Sequence, residues 1–336
     1  MTNASPDRLV DIAYAYRESK ALLTAVELGV FTVLAGGGLS LEALSGRLGL
    51  HGRGARDFLD ALVALGVLDR DEGGQYRNTP EAARFLDRGR DTYIGAEMEF
   101  INAHLYGHWN GLTTALRTGQ PVNPMATAEG GYKRRYTRPA EVMRFARAMT
   151  AATRPVARAL ASAFAWSDHR TMADVGSGQG CLPVELARQH PHLRCVGFDL
   201  APMQAVFDRY VADHGLADRV RFSPGDFFED PLPGADVIVI GRVLHNWDTP
   251  GKVAILRKAY DALPEGGTVI VYERLIDDER RREARALLSS LNMLVMTSGG
   301  FDFSAADCIG WMGQVGFRGA RVSPLTADQT MVVGFR

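Results

Sequence analysis
The sequence predicts an α/β fold in two parts: a mostly parallel sheet of seven strands with an antiparallel C-terminal pair, preceded by an all-α unit with a winged-helix pattern. Three observations carry this reading. Beyond about residue 168, short β-rich runs alternate with helical segments, which implies βαβ units with right-handed crossovers. Residues 21–90 read as three helices followed by two extended runs around Gly73-Gly74. A chain of 336 residues, 46% hydrophobic and 23% charged, is long enough for two cored domains of ordinary globular composition. The expected division is a winged-helix unit over 1–95, a helical linker and substrate wall over 96–165, and the α/β unit over 166–336.

In the first unit, ALLTAVELGVFTVL has apolar residues at helical spacing and stops at Gly36-Gly37-Gly38. Ser40 caps LEALSGRLGL, with Glu42 in the first turn, where the helix dipole favours a carboxylate. GARDFLDALVALGVL places Phe58, Leu59, Leu62 and Leu65 on one face, and VLDRDEGGQYRNT forms the wing. Winged helices often read DNA. Residues 1–90 hold 11 Lys+Arg against 12 Asp+Glu, however, and a DNA reader needs a basic face to neutralise phosphates. A dimerisation or substrate-capping role fits better.

The whole chain is equally balanced, with 38 Lys+Arg, 39 Asp+Glu and a net charge of −1, so no global field draws it to nucleic acid or an anionic membrane. No run approaches the roughly 18 apolar residues of a membrane span. MTNASPDRLVDIAYAYRESK has no apolar stretch behind basic residues, so a cytoplasmic protein is expected. Cys181, Cys195 and Cys308 are odd in number and lack a CxxC pair, which argues against a disulfide framework or a metal site.

Residues 91–165 read as helical, broken by a surface loop at GQPVNPMATAEGG. Tyr93, Phe100, Tyr106, Trp109, Tyr132, Tyr136 and Phe145 enrich the stretch in aromatics. Each is adequately explained by core packing, yet Met98, Phe100, His104, His108 and Trp109 together would also suit a flat ring. In the α/β half, TMADV, LRCVGFD, RVRFSPGD, DVIVIG and TVIVYE are the parallel strands. GARVSPL and TMVVGFR are joined too closely for a crossover helix and should pair antiparallel at one sheet edge.

Four strand tips carry chemistry. Asp174-Val175-Gly176-Ser177-Gly178-Gln179-Gly180 leaves the first strand as a loop whose glycines let the backbone approach a ligand. The dinucleotide pattern would need Gly at 181, where Cys stands, so a nucleoside without pyrophosphate fits better than NAD. Asp199 ends the next strand, where a carboxylate can accept from both ribose hydroxyls. Gly225-Asp226-Phe227-Phe228 pairs an acceptor for an exocyclic amine with a ring for a purine face. After the fourth strand, Gly241-Arg242-Val243-Leu244-His245-Asn246-Trp247-Asp248 puts His245 where a proton acceptor is useful, and Glu273 ends the fifth strand at the same edge.

DVGSGQG, FDL, GDFF, RVLHNWD, ALPEGGTVIVYE and SGGFDFSAADCIGWMGQVGF resemble, in order, the motifs of class I S-adenosylmethionine-dependent small-molecule O-methyltransferases, the plant caffeate type and its bacterial secondary-metabolite relatives. The resemblance covers nearly the whole chain and implies a Rossmann-like domain behind an N-terminal winged-helix dimerisation domain, hence a homodimer. It implies that Gly176, Gly178, Gly180, Asp199, Asp226, Phe227 and Arg242 bind S-adenosylmethionine. It further implies His245 as general base, flanked by Glu273 and by Asp302, which stands where plant enzymes carry their second acid. SLNMLV, GGFDF and DCIGWM look closest to bacterial naphthoate O-methyltransferases of the azinomycin and neocarzinostatin type. An aromatic hydroxy acid needs a cationic partner, for which Arg8 and Arg17 are candidates, with Trp109, Asn292 and Met296 as further substrate contacts. A winged-helix transcription regulator sensing S-adenosylmethionine or a metabolite is the alternative of a different class; it leaves His245 and Glu273 without a role.

Overall fold
In the computed structural model of the chain, which describes residues 5–127 and 138–336, two compact units form, Met1–Gly107 and His108–Arg336. The first begins with helices α1 (Asp7–Leu28), α2 (Val30–Val33), α3 (Leu41–Leu48) and α4 (Gly52–Ala64). Strands β1 (Leu68–Arg70) and β2 (Tyr76–Asn78), then α5 (Pro80–Phe85) and α6 (Gly95–Phe100), complete it. The expected cap is present, with Ser40 Oγ accepting from the Ala43 amide at 3.2 Å. The wing is an antiparallel pair in the register Leu68↔Asn78, and Leu39 bridges to Tyr76 beside it. Leu59 and Leu62 of α4 are buried as expected, but Leu65 is the C-cap residue and remains exposed.

The expected first helix, residues 21–34, is α1 plus α2. It begins much earlier, at Asp7, and breaks at Gly29, whose φ of +75° is left-handed. Amphipathic periodicity does not reveal the early start, because Leu9, Val10, Ile12, Tyr14 and Tyr16 do not converge on a face buried within this chain.

The second unit holds α7 (Leu112–Thr118), α8 (Pro124–Thr127), α9 (Pro139–Ala163), β3 (Thr171–Val175), α10 (Cys181–Gln189), β4 (Arg194–Asp199), α11 (Gln204–Asp213) and β5 (Val220–Pro224). It continues with β6 (Val237–Gly241), α12 (Thr249–Ala262), β7 (Thr268–Glu273), α13 (Ala284–Met296), α14 (Ala305–Val315), β8 (Arg318–Pro324) and β9 (Thr330–Phe335). Segment 96–165 is therefore divided between the units: α6 packs with α1 in the first, and α9 packs with α10 in the second. Tyr132, Tyr136 and the end of the 119–131 loop lie outside the described residues.

Seven strands join in the order β5-β4-β3-β6-β7-β9-β8. All pairs from β5 to β7 are parallel, whereas β9 pairs antiparallel with both β7 and β8. The expected terminal hairpin forms, with its second strand placed inside the sheet and its first at the edge. Strand side chains alternate between two cores. Met172, Val237, Val239 and Ile270 pack with α9, α10 and α11 on one face. Ala173, Val175, Ile238, Ile240, Val269 and Val271 pack with α12 and α14 on the other. Both faces are covered, which explains strands such as VIVI that are apolar at every position. The chain leaves β3 first toward β4 and later toward β6, so the winding reverses between β3 and β6. In sheets of this kind the crevice outside the carboxyl ends at that reversal takes the ligand.

Candidate active site
Every strand-tip residue singled out in the second unit lies on that carboxyl edge. After β3, Gly176, Gly178 and Gly180 have φ of +75°, +56° and +88°, left-handed angles that a side chain rarely adopts. Added Cβ atoms would meet Val243 at 2.7 Å from Gly176 and Phe207 at 2.6 Å from Gly180. The loop hangs on β4: Gly176 N donates to Phe198 O at 2.8 Å, and Gly178 N to Asp199 Oδ2 at 2.8 Å. Asp199 Oδ1 also accepts from Leu200 N at 2.7 Å, so each carboxylate oxygen uses one lone pair on a backbone amide and keeps a second. Burial raises the Asp199 carboxyl to about 6 against the opposing effect of these two amides. Asp174, on the neighbouring strand, is buried and raised well above the carboxylate range by burial and by the Asp199 charge.

Asp226 Oδ1 accepts from Phe228 N at 2.9 Å, which turns the chain after β5. Phe227 is half-buried, with its ring 5.7 Å from that of Trp247 and edge-on to it. The glycine loop, the β4-tip carboxylate and this ring fit a nucleoside, and the buried Ser177 Oγ has no partner among the described residues.

At the tip of β6, Gly241 is required because a Cβ would fall 1.9 Å from the Tyr272 ring. Arg242 follows with φ +56°, its amide donating to Tyr272 O at 3.0 Å. Non-glycine residues held at such angles tend to cluster at functional sites. The turn sets His245 over β7, where Nδ1 lies 2.6 Å from Glu273 Oε2 and the His245 amide donates to Oε1 at 3.4 Å. A carboxylate oxygen accepts, so Nδ1 carries the hydrogen, and in the neutral ring Nε2 is the basic nitrogen. Glu273 is 1% exposed.

Asp302 completes the cluster: one ligand atom from each of His245, Glu273 and Asp302 lies within 4.8 Å of the others. The Asp302 amide donates to Ser290 Oγ of α13 at 3.1 Å, and its carboxyl is buried beside the Ser289 hydroxyl of the same helix. Burial pushes this carboxyl up to about 6, countered by the nearby His245 and a hydrogen bond from Ser289 and aided by the Glu273 charge. Gly299-Gly300 makes the approach possible, because a Cβ on Gly300 would lie 2.5 Å from His245 O.

Trp109 and Asn292 meet, with Nε1 donating to Oδ1 at 3.1 Å, and Met296 is buried at the end of the same helix, α13. Arg8 and Arg17 belong to α1 in the other unit and are exposed; Arg17 sits 4.1 Å from the Tyr14 ring centroid. Sequence reading missed Ser290 and Lys252. Lys252 left a signal: with Ile255, Leu256 and Ala259 it completes the i, i+3, i+4, i+7 stripe of α12 that is buried.

A nucleoside-shaped strand edge and an imidazole with two acids in one unit fit an S-adenosylmethionine-dependent methyltransferase. Two family models match the chain, an O-methyltransferase domain over residues 109–318 and an O-methyltransferase dimerisation domain over 10–88. The chain belongs to this O-methyltransferase family, and it is an S-adenosylmethionine-dependent O-methyltransferase. It is 41% identical over 329 residues to the tetracenomycin polyketide synthesis 8-O-methyl transferase TcmO of Streptomyces glaucescens, covering 98% of this chain and 96% of that one. It is 35% identical over 312 residues to the 3-hydroxy-5-methyl-1-naphthoate 3-O-methyltransferase of Streptomyces sahachiroi, covering 93% and 89%. Human N-acetylserotonin methyltransferase, crystallised with S-adenosylmethionine, superposes with a TM-score of 0.92 at 28% identity, covering 100% and 99%. These matches do not support the transcription-regulator alternative.

Proposed function
We propose that the acceptor is a phenolic hydroxyl on a fused aromatic ring, of the hydroxynaphthoate or polyketide kind, with His245 as general base. The observation that carries this is the 2.6 Å contact from Glu273 to His245 Nδ1, which occupies that nitrogen and leaves Nε2 as the one that can accept a proton. Relatives named for a polyketide and a naphthoate support the acceptor class. Gly176, Gly178, Gly180, Asp199, Asp226, Phe227 and Arg242 would hold S-adenosylmethionine, with the Asp199 carboxylate accepting from the ribose hydroxyls. When bound, the cofactor supplies a methyl carbon made electrophilic by sulfonium charge.

A phenol has a pKa near 10 and an imidazole near 6.5, so complete proton transfer before attack would be uphill. His245 Nε2 would take the proton from the phenolic hydroxyl as its oxygen turns nucleophilic toward the methyl group that the bound cofactor would supply. Glu273 and Asp302 then flank the imidazolium. A 2.6 Å nitrogen–oxygen separation holds a shared proton, whereas two ligands each about 2 Å from a metal ion stand farther apart, which supports proton transfer over a metal role for this cluster.

Trp109, Asn292 and Met296 are proposed to face the ring, and Arg8 or Arg17 to pair with an acceptor carboxylate. Hydroxynaphthoic acids, their methyl esters and arylamines, each incubated with S-adenosylmethionine and followed by mass spectrometry, test the acceptor. Methylation of acids over esters is expected; methylation of arylamines alone overturns the phenolic reading.

The first unit is proposed to form the homodimer through α1. Leu9 is 71% and Ile12 63% exposed in the single chain, a cost that a second copy would remove. Sedimentation velocity should show a dimer for the wild type and a monomer for Leu9→Asp/Ile12→Asp. A monomeric wild type at micromolar concentration rejects the proposal.

A further inference from the structure
The buried stripe of α12 contains one ion. Lys252 is 0% exposed, and no residue assigned above uses it. Its ammonium contacts two segments that both belong to the catalytic cluster. Nζ donates to the carbonyl oxygen of Trp247, two residues after His245. It also lies 3.4 Å from the ring centroid of Phe301 and 5.6 Å from that of Phe303, the neighbours of Asp302 on either side. The Trp311 ring, from α14, stands at 5.7 Å. These segments already touch at Gly300, where no side chain fits, so a small displacement of one changes the distance between imidazole and carboxyl. An apolar residue of the same length would fill the space, but it would bind neither the carbonyl nor the ring faces.

We propose that Lys252 is a positioning residue whose ammonium ties the His245 segment to the Asp302 segment and thereby sets the imidazole against its second acid. The proposal rests on the reading of His245 as base. The charged and titratable groups facing it are Glu273 on β7, Asp302 on the adjoining loop, Asp248 at the start of α12 and Asp307 on α14. Burial draws the lysine down to about 8, against the opposing pull of those four carboxyls, so the tie weakens in mildly alkaline solution.

The test uses the full chain loaded with S-adenosylhomocysteine and ¹³C-labelled histidine, titrated by NMR. In Lys252→Met, the pH dependence of the His245 ring signals should move away from that of wild type, because the imidazole loses both its fixed distance from Asp302 and a buried cation nearby. S-adenosylhomocysteine affinity measured by calorimetry should stay within about twofold. A lysine that merely fills the core would lower the melting temperature and leave the titration in place, so an unchanged titration in the folded variant overturns the proposal. If Lys252→Met does not fold, Lys252→Gln carries the same measurement, since it keeps an N–H for the Trp247 carbonyl without the charge. Wild-type turnover by His245→Gln is a different result: it overturns the reading of the base and is seen without any variant of Lys252.

Discussion

Replacing His245 with Gln is expected to slow methyl transfer by about 10²–10⁴-fold and to leave S-adenosylhomocysteine affinity within about twofold. The first number is the usual contribution of a general base. The second follows from geometry, because His245 bonds Glu273 through Nδ1 and belongs to the β6 tip, while the glycine loop and Asp199 belong to β3 and β4. Glutamine keeps hydrogen bonding to Glu273 but has no basic nitrogen. Steady-state turnover and calorimetry on one preparation check both halves. Substantial residual turnover would mean that positioning alone, which can supply roughly 7–11 kcal/mol, drives the displacement. Weakened cofactor binding would mean that the imidazole belongs to the cofactor's site.

Asp199→Ala is expected to reduce S-adenosylhomocysteine affinity by about 10–100-fold, from the loss of hydrogen bonds to a charged acceptor worth roughly 1.5–3 kcal/mol. Asp199 also holds the Gly178 amide at 2.8 Å and the Leu200 amide at 2.7 Å, so the alanine variant loosens the glycine loop as well. Asp199→Asn is expected to be the milder change, since its amide oxygen still accepts from one of the two backbone amides, although its NH2 cannot accept from the other. The wild type should show a related pH dependence. Asp199 is raised to about 6, and the ionised form is the better acceptor for ribose hydroxyls. Affinity should therefore be full above that pH and fall as pH drops through it. Calorimetry across pH 5 to 8 reads this directly, and equal affinity of Asp199→Ala and wild type would remove Asp199 from the cofactor's site.

Much of this molecule is legible in one dimension because its determinants are local. A parallel strand covered on both faces must be apolar at every position, and VIVI or TVIVY announces itself as such. Helix caps such as Ser40 need only the next three residues. Strand tips that end in Gly, Asp, His or Glu are visible once the alternation of strand and helix is recognised, since the topology then delivers all of them to one edge. The early start of α1 was not visible, because its exposed apolar residues do not mark an inside and an outside within one chain. Periodicity places Leu65 on the core face of α4, but the helix ends at Ala64 and the side chain stays exposed.

What residue order alone established was the class of chemistry: a glycine loop after the first parallel strand, followed by strand-tip acids and a histidine in the order found in S-adenosylmethionine-dependent O-methyltransferases. What only the tertiary structure decided was which groups share a proton and what holds them. Glu273 and His245 are 28 positions apart yet 2.6 Å apart in space, and Asp302 comes from a third segment. The closeness arises because β6 and β7 are neighbours in a parallel sheet, and because Gly300 removes the side chain that would keep the last segment away. Lys252 belongs to the same category. A lysine on an apolar stripe is ambiguous in sequence, but when buried it must find electron-rich partners, and those it found are the Trp247 carbonyl and the rings beside Asp302.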